Sequence, residues 1–210
     1  MNVKKKGMMF ILSSPSGAGK TTLTRKIEKN NSNFSISISH TTRKPRPNEI
    51  NKKDYYFVSK EEFDFSIKKE SFLEYAKIFD NYYGTHKDTV TNLLNLGKDV
   101  LLDIDWQGTQ QLKKNQNFNL VTFFILPPNK SSLKKRLIER NQDNLDSVSK
   151  RLDKFEEEVS HWDEYNYVLI NDDLETCYNE ILKIIKSVNE GKSLNQDMGI
   201  IKSKIQELIK

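Results

Sequence analysis

The stretch Ser13-Ser14-Pro15-Ser16-Gly17-Ala18-Gly19-Lys20-Thr21 follows directly on the apolar run Met8-Met9-Phe10-Ile11-Leu12. No other feature limits the folding of this chain so strongly. A short buried strand that enters a glycine turn, with Lys-Thr opening a helix behind it, is the layout of a phosphate-binding loop. Successive backbone N–H groups in such a loop converge on an anion, and the helix N-terminus adds partial positive charge. Lys20 is placed to reach β- and γ-phosphates and the Thr21 hydroxyl to ligand a Mg²⁺ ion. The pattern G-x-x-x-x-G-K-[ST] is met at every position but one, where Ser14 stands for the first glycine. The competing reading, a turn with a chance Gly-Lys-Thr, lacks a reason for the strand before it and the helix after it.

The remaining apolar runs tell which sheet this strand belongs to. Phe34–Ser39 alternates with period two, Val100–Asp105 ends in carboxylates, Val121–Leu126 stops at Pro127-Pro128, and Tyr167–Ile170 stops at Asn171-Asp172-Asp173. Apolar strands alternating with helical segments predict an α/β fold with a parallel sheet flanked by helices. In such sheets ligands bind beyond the carboxyl ends of the strands. Between His40 and Gly97 prolines, aromatics and short alternating runs predict an inserted lobe with a small mixed sheet and helices. A second interruption, Arg136 to Tyr165, reads as helical and polar. Beyond Gly191 a polar linker leads to Ile200–Ile209, where Ile201, Ile205 and Leu208 form one helical stripe that needs cover from the core or from a partner, a second copy included.

Composition narrows the class further. With 210 residues, 36% hydrophobic and 30% charged, the chain suits one globular domain with lobes. No apolar run nears the roughly 18 residues that span a bilayer. Lysines before the first apolar patch imitate a signal peptide, but the patch is short and lacks a cleavage site, so a cytoplasmic protein is expected. The net charge of +5 is spread along helices among glutamates rather than gathered in a basic block. A basic balance suits polyanionic small substrates as well as nucleic acid, and charge alone does not decide between them; neither nucleic acid nor a membrane is expected as a partner. The one cysteine, Cys177, excludes an internal disulfide and reads as buried helix filler.

A second anion site is written at His40-Thr41-Thr42-Arg43-Lys44-Pro45-Arg46-Pro47. Arginines at 43 and 46 on a proline-stiffened turn match phosphate oxygens as forks, which lysines do not. Tyr55 and Tyr83 can add hydroxyl donors. With Ser14–Lys20, Ser37–Pro47, Phe72-Leu73-Glu74-Tyr75-Ala76, Asn81–Thr85, Leu102–Gly108 and Asn171-Asp172-Asp173 in this order, the chain resembles the guanylate kinases, which move the ATP γ-phosphate to GMP. The resemblance covers about residues 7–189, with a GMP-binding lobe at about 38–97, a lid at about 136–165, and 190–210 as linker and amphipathic helix.

The resemblance implies an enzyme of guanine nucleotide metabolism, a nucleotide-binding transferase acting on ATP and GMP with Mg²⁺. It implies ATP binding at Ser13, Ser14, Pro15, Ser16, Gly17, Ala18, Gly19, Lys20, Thr21 and Thr22, with Asn171 beside the adenine through its backbone. Ser39, Arg43, Arg46, Tyr55, Glu74, Tyr83, Thr85 and Asp103 match positions that hold GMP, and dGMP is expected to fit as well. A carboxylate at Glu74 can accept from guanine N1 and its 2-amino group, while a hydroxyl from Ser39 or Thr85 donates to O6. By its residues alone Glu74 would be read as the exposed member of an alternating strand. Thr21, Asp103 and Asp105 are the metal candidates, and Lys20, Arg136, Arg140 and Arg151 the catalytic cations. Scaffold domains of similar sequence have lost phosphate-loop function, whereas Gly17, Gly19, Lys20, Thr21 and Asp103 all stand here. A kinase with another acceptor is the remaining alternative. Asn48, Lys52 and Asn141 replace glycines common in the family, and Lys52 is the substitution expected to disturb its turn.

Overall fold

The computed structural model describes residues 6–115, 117–139, 149 and 151–209. Strand β1 (Met9–Ser13) is buried at every position, as its unbroken apolar run requires, and the glycine loop delivers the chain to helix α1 (Lys20–Asn30). Strands β2 (Phe34–Ile36), β7 (Asp99–Asp103), β8 (Leu120–Leu126) and β9 (Tyr167–Ile170) join β1 in a five-stranded sheet of order β2-β7-β1-β8-β9. The pairs β2–β7 and β8–β9 run parallel. Flanked by helices, this is the predicted α/β fold.

The chain divides into two compact units. One runs to Ile11 and takes in Asn31–Val121; the other is Leu12–Asn30 with the chain from Thr122 onward.

In the first unit the core gathers Met9, Ile11, Val100, Leu102 and Ile104 with Val90 and Leu94 of α3 (Lys87–Asn95) and Leu112 of α4 (Trp106–Lys114). Asp99 is buried at the start of β7, where its carboxylate accepts from Met8 N–H (2.9 Å) and Asn33 Nδ2 (3.0 Å). The expected strand at 34–39 is shorter in fact. It ends at Ile36, Ser37 N–H still donates to Leu101 O, and the chain then leaves for a second sheet. That sheet holds β3 (His40–Thr41), β4 (Tyr56–Phe57), β5 (Phe72–Ile78) and β6 (Asn81–His86) in the order β4-β3-β6-β5, mixed in direction. Helix α2 (Lys60–Lys68) starts on a reciprocal capping box between Ser59 and Glu62.

In the second unit Phe124 and Leu126 pack with Leu133 and Leu137 of α5 (Lys130–Glu139) and with Phe155 and Val159 of α6 (Phe155–Ser160). Helix α7 (Leu174–Asn189) buries Cys177, Tyr178, Ile181, Ile184 and Ile185, one face at helical spacing. Burial pushes the Cys177 thiol up to about 12, which suits inert filler. Gln196 in the linker meets β9, its Oε1 accepting from Val168 N–H and its Nε2 donating to Val168 O, both at 2.8 Å. Helix α8 (Met198–Ile209) then lays Ile201, Ile205 and Leu208 into the core of this same unit. The apolar stripe that the sequence left open to a core or a partner is covered by its own chain.

Lys52 stands at φ 66, a left-handed conformation, with its N–H bonded to Tyr55 O at 2.8 Å. A β-carbon there is strained by roughly 1–2 kcal/mol, part of which glycine forfeits through its freer unfolded chain. Lys52→Gly is therefore expected to raise the melting temperature by about 2 °C. Calorimetry of the variant tests this, and a lower melting point would refute the strain.

Candidate active site

The loop after β1 turns on two glycines with positive φ, 92° at Gly17 and 101° at Gly19. Both positions are also crowded. A β-carbon on Gly17 would press on the Leu133 and Leu137 methyls, and one on Gly19 would overlap the Asn171 side-chain nitrogen. Asn171 is buried just past β9, where its backbone N–H donates to Leu126 O at 2.8 Å and its Nδ2 to Ala18 O at 2.7 Å. One amide thus pulls a loop carbonyl away from the anion side. The resemblance implies a backbone contact to adenine for Asn171; its side chain holds the loop.

Arg136 projects from α5 and its Nη2 donates to Asn171 O at 2.9 Å, while Nη1 is buried without a hydrogen-bond partner among the described residues. Arg151 donates from Nη1 to Ser16 Oγ at 2.6 Å, and Ser16 N–H donates to the Glu158 carboxylate at 3.0 Å. Glu158 was not anticipated. It lies seven residues past Arg151, but the helix breaks at Lys154 between them, so no helical spacing in the sequence marks their shared station. Arg140 lies outside the described residues. A cavity of about 440 Å³ is lined by Gly17, Gly19, Thr22, Arg136, Asn171 and Asp172, with Asp173 and Leu174. Its size and its wall of loop backbone and guanidinium suit a polyphosphate. Ser13 and Pro15 are buried beneath the loop, the Ser14 hydroxyl donates to Pro15 O (2.9 Å), Lys20 and Thr21 open α1, and Thr22 is exposed beside them.

The first unit holds the second set. Arg43 donates from Nε to the Tyr83 hydroxyl (3.2 Å), from Nη1 to Lys44 O (2.7 Å) and from Nη2 to Glu49 Oε1 (2.8 Å). Its guanidinium also faces the Tyr55 ring at 5.4 Å. Arg46 donates from Nη1 to Glu49 Oε1 (3.4 Å) and from its backbone N–H to Glu49 Oε2 (2.8 Å). Arg43, Arg46, Tyr55 and Tyr83 are therefore brought together, with Glu49 as an unforeseen organiser. Burial alone would raise the Glu49 carboxyl, but its bonds from Arg43 and Arg46 and their charges hold it below the usual range. Burial, and after it the charge of Asp103, push the Tyr55 hydroxyl up, so it stays protonated as a donor. His40 stacks on Tyr56 at 4.6 Å, and burial with the neighbouring His86 lowers it to about 4, leaving a neutral ring.

Glu74 overturns its plain pattern reading. It is only 4% exposed, on the face of β5 it shares with Phe72 and Ala76, whereas Tyr75 points outward. A register shift between Phe72 and Glu74 accompanies this. Opposite Glu74 on β6 stands Thr85, fully buried, its hydroxyl without a hydrogen-bond partner among the described residues. Ser39 is half-buried at the crossing between the sheets, where its carbonyl accepts from Tyr56 N–H at 2.9 Å. Asp103 ends β7. Asp105, a metal candidate by sequence, is engaged in capping α4, accepting from Gly108 N–H (2.9 Å) and from Gln107 Nε2 (3.3 Å).

A glycine loop between a buried strand and a helix, on a sheet of this order, defines a phosphate-loop nucleotide-binding protein of the α/β class. Within that class the relationship is specific. The family model described as guanylate kinase matches residues 6–188, and the chain belongs to that family. A guanylate kinase of Paramagnetospirillum magneticum is 48% identical over 173 residues, covering 82% of this chain and 81% of the relative. One from Rickettsia felis is 48% identical over 190 residues, covering 90% and 98%. The crystal structure of guanylate kinase from Anaplasma phagocytophilum matches with a TM-score of 0.70 at 32% identity, over 88% of this chain and 87% of that one.

Glu49 links both arginines, so its removal is expected to be felt in stability. Glu49→Gln should lower the melting temperature at pH 7 by a few degrees, from roughly 1–3 kcal/mol of lost charge-assisted bonding. Because the folded carboxyl lies below its unfolded value of about 4.3, this stabilisation is complete above that value and is lost as pH falls through the folded one. The gap between the two melting temperatures should therefore begin to narrow as pH falls below about 4.3 and close only below the folded carboxyl's depressed value, and a gap that stays constant through that acid range would overturn the ion-pair account.

Proposed function

We propose that this chain is an ATP-dependent guanylate kinase that transfers the γ-phosphate of ATP to GMP, and to dGMP, giving ADP and GDP in cytoplasmic guanine nucleotide metabolism. The observation that carries the acceptor is the pair on β5 and β6. A buried carboxylate, Glu74, stands opposite a buried hydroxyl, Thr85, that has no hydrogen-bond partner among the described residues. Buried polar groups are seldom left unsatisfied without a reason. A guanine edge supplies one, since it offers two donors to the carboxylate and O6 to a hydroxyl. Adenine offers its N1 lone pair to the same carboxylate, leaving buried groups mispaired.

The roles follow from residue chemistry. Arg43 and Arg46, with Tyr55 and Tyr83 as neutral donors, bind the GMP phosphate, and Glu49 keeps the two guanidinium groups aligned before it arrives. The lobe at about 38–97 is thus the acceptor-binding part, with Ser39 and Asp103 completing it. The loop from Ser13 to Thr22 cradles the ATP phosphates while Asn171 holds its carbonyl back. The segment 136–165 acts as the lid. Arg136, Arg140 and Arg151, with Lys20, stabilise the charge that spreads over the equatorial oxygens of the transferring phosphoryl. The acceptor phosphate is already ionised, so it attacks the γ-phosphorus in line and ADP leaves without a protein general base.

Mg²⁺ suits this donor set as an ion arriving with ATP. Among the described residues no three His, Cys, Asp or Glu side chains are grouped to hold a metal. Asp105 is engaged as a cap, and Mg²⁺ takes phosphate oxygens and waters with one or two protein groups. Thr21 and Asp103 are the residues assigned to it. When bound, it neutralises charge on the β- and γ-phosphates.

ADP release measured with GMP, dGMP, AMP and a sugar phosphate tests the assignment, with turnover expected for the guanine nucleotides. Equal turnover with AMP would remove it. Lys20→Ala is expected to lower kcat by about 10²-fold or more with little change in the KM for GMP. Glu74→Ala should reduce the preference for GMP over AMP by at least about tenfold, and a preference equal to wild type would count against the carboxylate as base reader.

A further inference from the structure

Gly108 belongs to the Leu102–Gly108 stretch, yet nothing in the proposed reaction uses it. It occupies the third position of α4, one turn from the Asp105 cap, and it is buried. A β-carbon built there would fall inside the envelope of Glu74 Oε2, 3.0 Å from Glu74 Cδ and 3.4 Å from Ile104 Cδ1. The space a side chain would fill is the space in which the Glu74 carboxylate stands. A carboxylate against the first turn of a helix also meets the positive end of its dipole.

A second observation shows that the strand has no freedom to withdraw. Tyr75, next to Glu74, is clamped to α4 by Gln111, one turn beyond Gly108. Tyr75 N–H donates to Gln111 Oε1 at 3.1 Å and Gln111 Nε2 donates to Tyr75 O at 2.7 Å. With helix and strand tied at that spacing, a methyl group at position 108 must be accommodated by the carboxylate itself.

We infer that Gly108 is a specificity-determining position: its absent side chain fixes where the Glu74 carboxylate stands, and so sets how strictly the acceptor base is read. This rests on the proposed role of Glu74 as base reader. Gly108 touches no reacting atom; it is a positioning residue. The chemistry that senses it is the purine 2-amino group, which IMP lacks. GMP gives the carboxylate two donors and IMP gives one, so the preference for GMP over IMP reports the placement of the carboxylate.

Gly108→Ala, Gln111→Ala and Glu74→Ala are to be compared in the full chain, with kcat and KM measured for GMP, IMP and ATP. Alanine favours a helix over glycine by about 1 kcal/mol, so α4 itself is not weakened, and melting curves verify folding. Gly108→Ala is expected to raise the KM for GMP by about tenfold or more and to cut the GMP-over-IMP preference by a similar factor. The KM for ATP should be unchanged. Gln111→Ala should weaken the same preference by about threefold, as loss of one ordinary hydrogen-bonded clamp would. If Glu74→Ala abolishes the preference while folded Gly108→Ala retains it, the inference about Gly108 is wrong and the base-reader role stands. If Glu74→Ala also retains it, the base-reader role falls and the inference with it. Should Gly108→Ala fail to fold, Gln111→Ala decides, and an unchanged preference there overturns the proposal.

Discussion

The bond from Asn171 Nδ2 to Ala18 O, made across 153 residues of sequence, is the contact on which the nucleotide end of this protein depends. A phosphate loop works only if its N–H groups converge and its carbonyls point elsewhere. A five-residue buried strand sets where the loop begins, but nothing local tells the Ala18 carbonyl where to turn. Asn171 does, and it is itself held by Leu126 O. Position 19 must be glycine for two reasons at once, its positive φ and the amide standing against it. Arg136 then reads the backbone oxygen of the same asparagine. Loop, strand end and Arg136 are thus registered on a single buried side chain.

The other unit solves a different electrostatic problem. Two guanidinium groups close together repel unless an anion lies between them, and Glu49 supplies it. The carboxylate bonds to both arginines and to the Arg46 backbone, with side chains only 13–18% exposed. Such preorganisation lowers the conformational entropy that binding must overcome. Tyr83 and the Tyr55 ring brace Arg43 from other sides, so its fork is held in one orientation.

Much of this was legible in the residues, and the failures have definite causes. The phosphate loop, the apolar strands and the helical stripe of α8 follow from local sequence pattern, and the structure has them. Glu74 defeated periodicity because its apolar neighbours Leu73 and Tyr75 mark the wrong face of β5: Tyr75 is exposed, while Phe72, Glu74 and Ala76 share the buried side. Alternation finds a buried face by its apolar residues, and a carboxylate on that face carries no such mark. Asp105 looked like a metal carboxylate, yet an aspartate just before a helix is equally a cap, and the two uses share one signature. Glu49, Glu158 and Gln111 act on groups that are distant in the chain or across a turn, and no spacing rule singles them out. Lys52 shows the converse, where a missing glycine correctly marked a left-handed turn.

Gln196 invites one more thought. Strand β9 is the last in its sheet, and the border of a sheet carries unpaired amide and carbonyl groups that invite strands from other molecules. By matching the N–H and the C=O of Val168 with a single side-chain amide, the linker imitates a neighbouring strand one residue long. The C-terminal segment therefore does more than cover oil with a helix. It closes the rim of the sheet, and a chain cut short after α7 would lose a helix and acquire an adhesive margin where molecules could stack edge to edge.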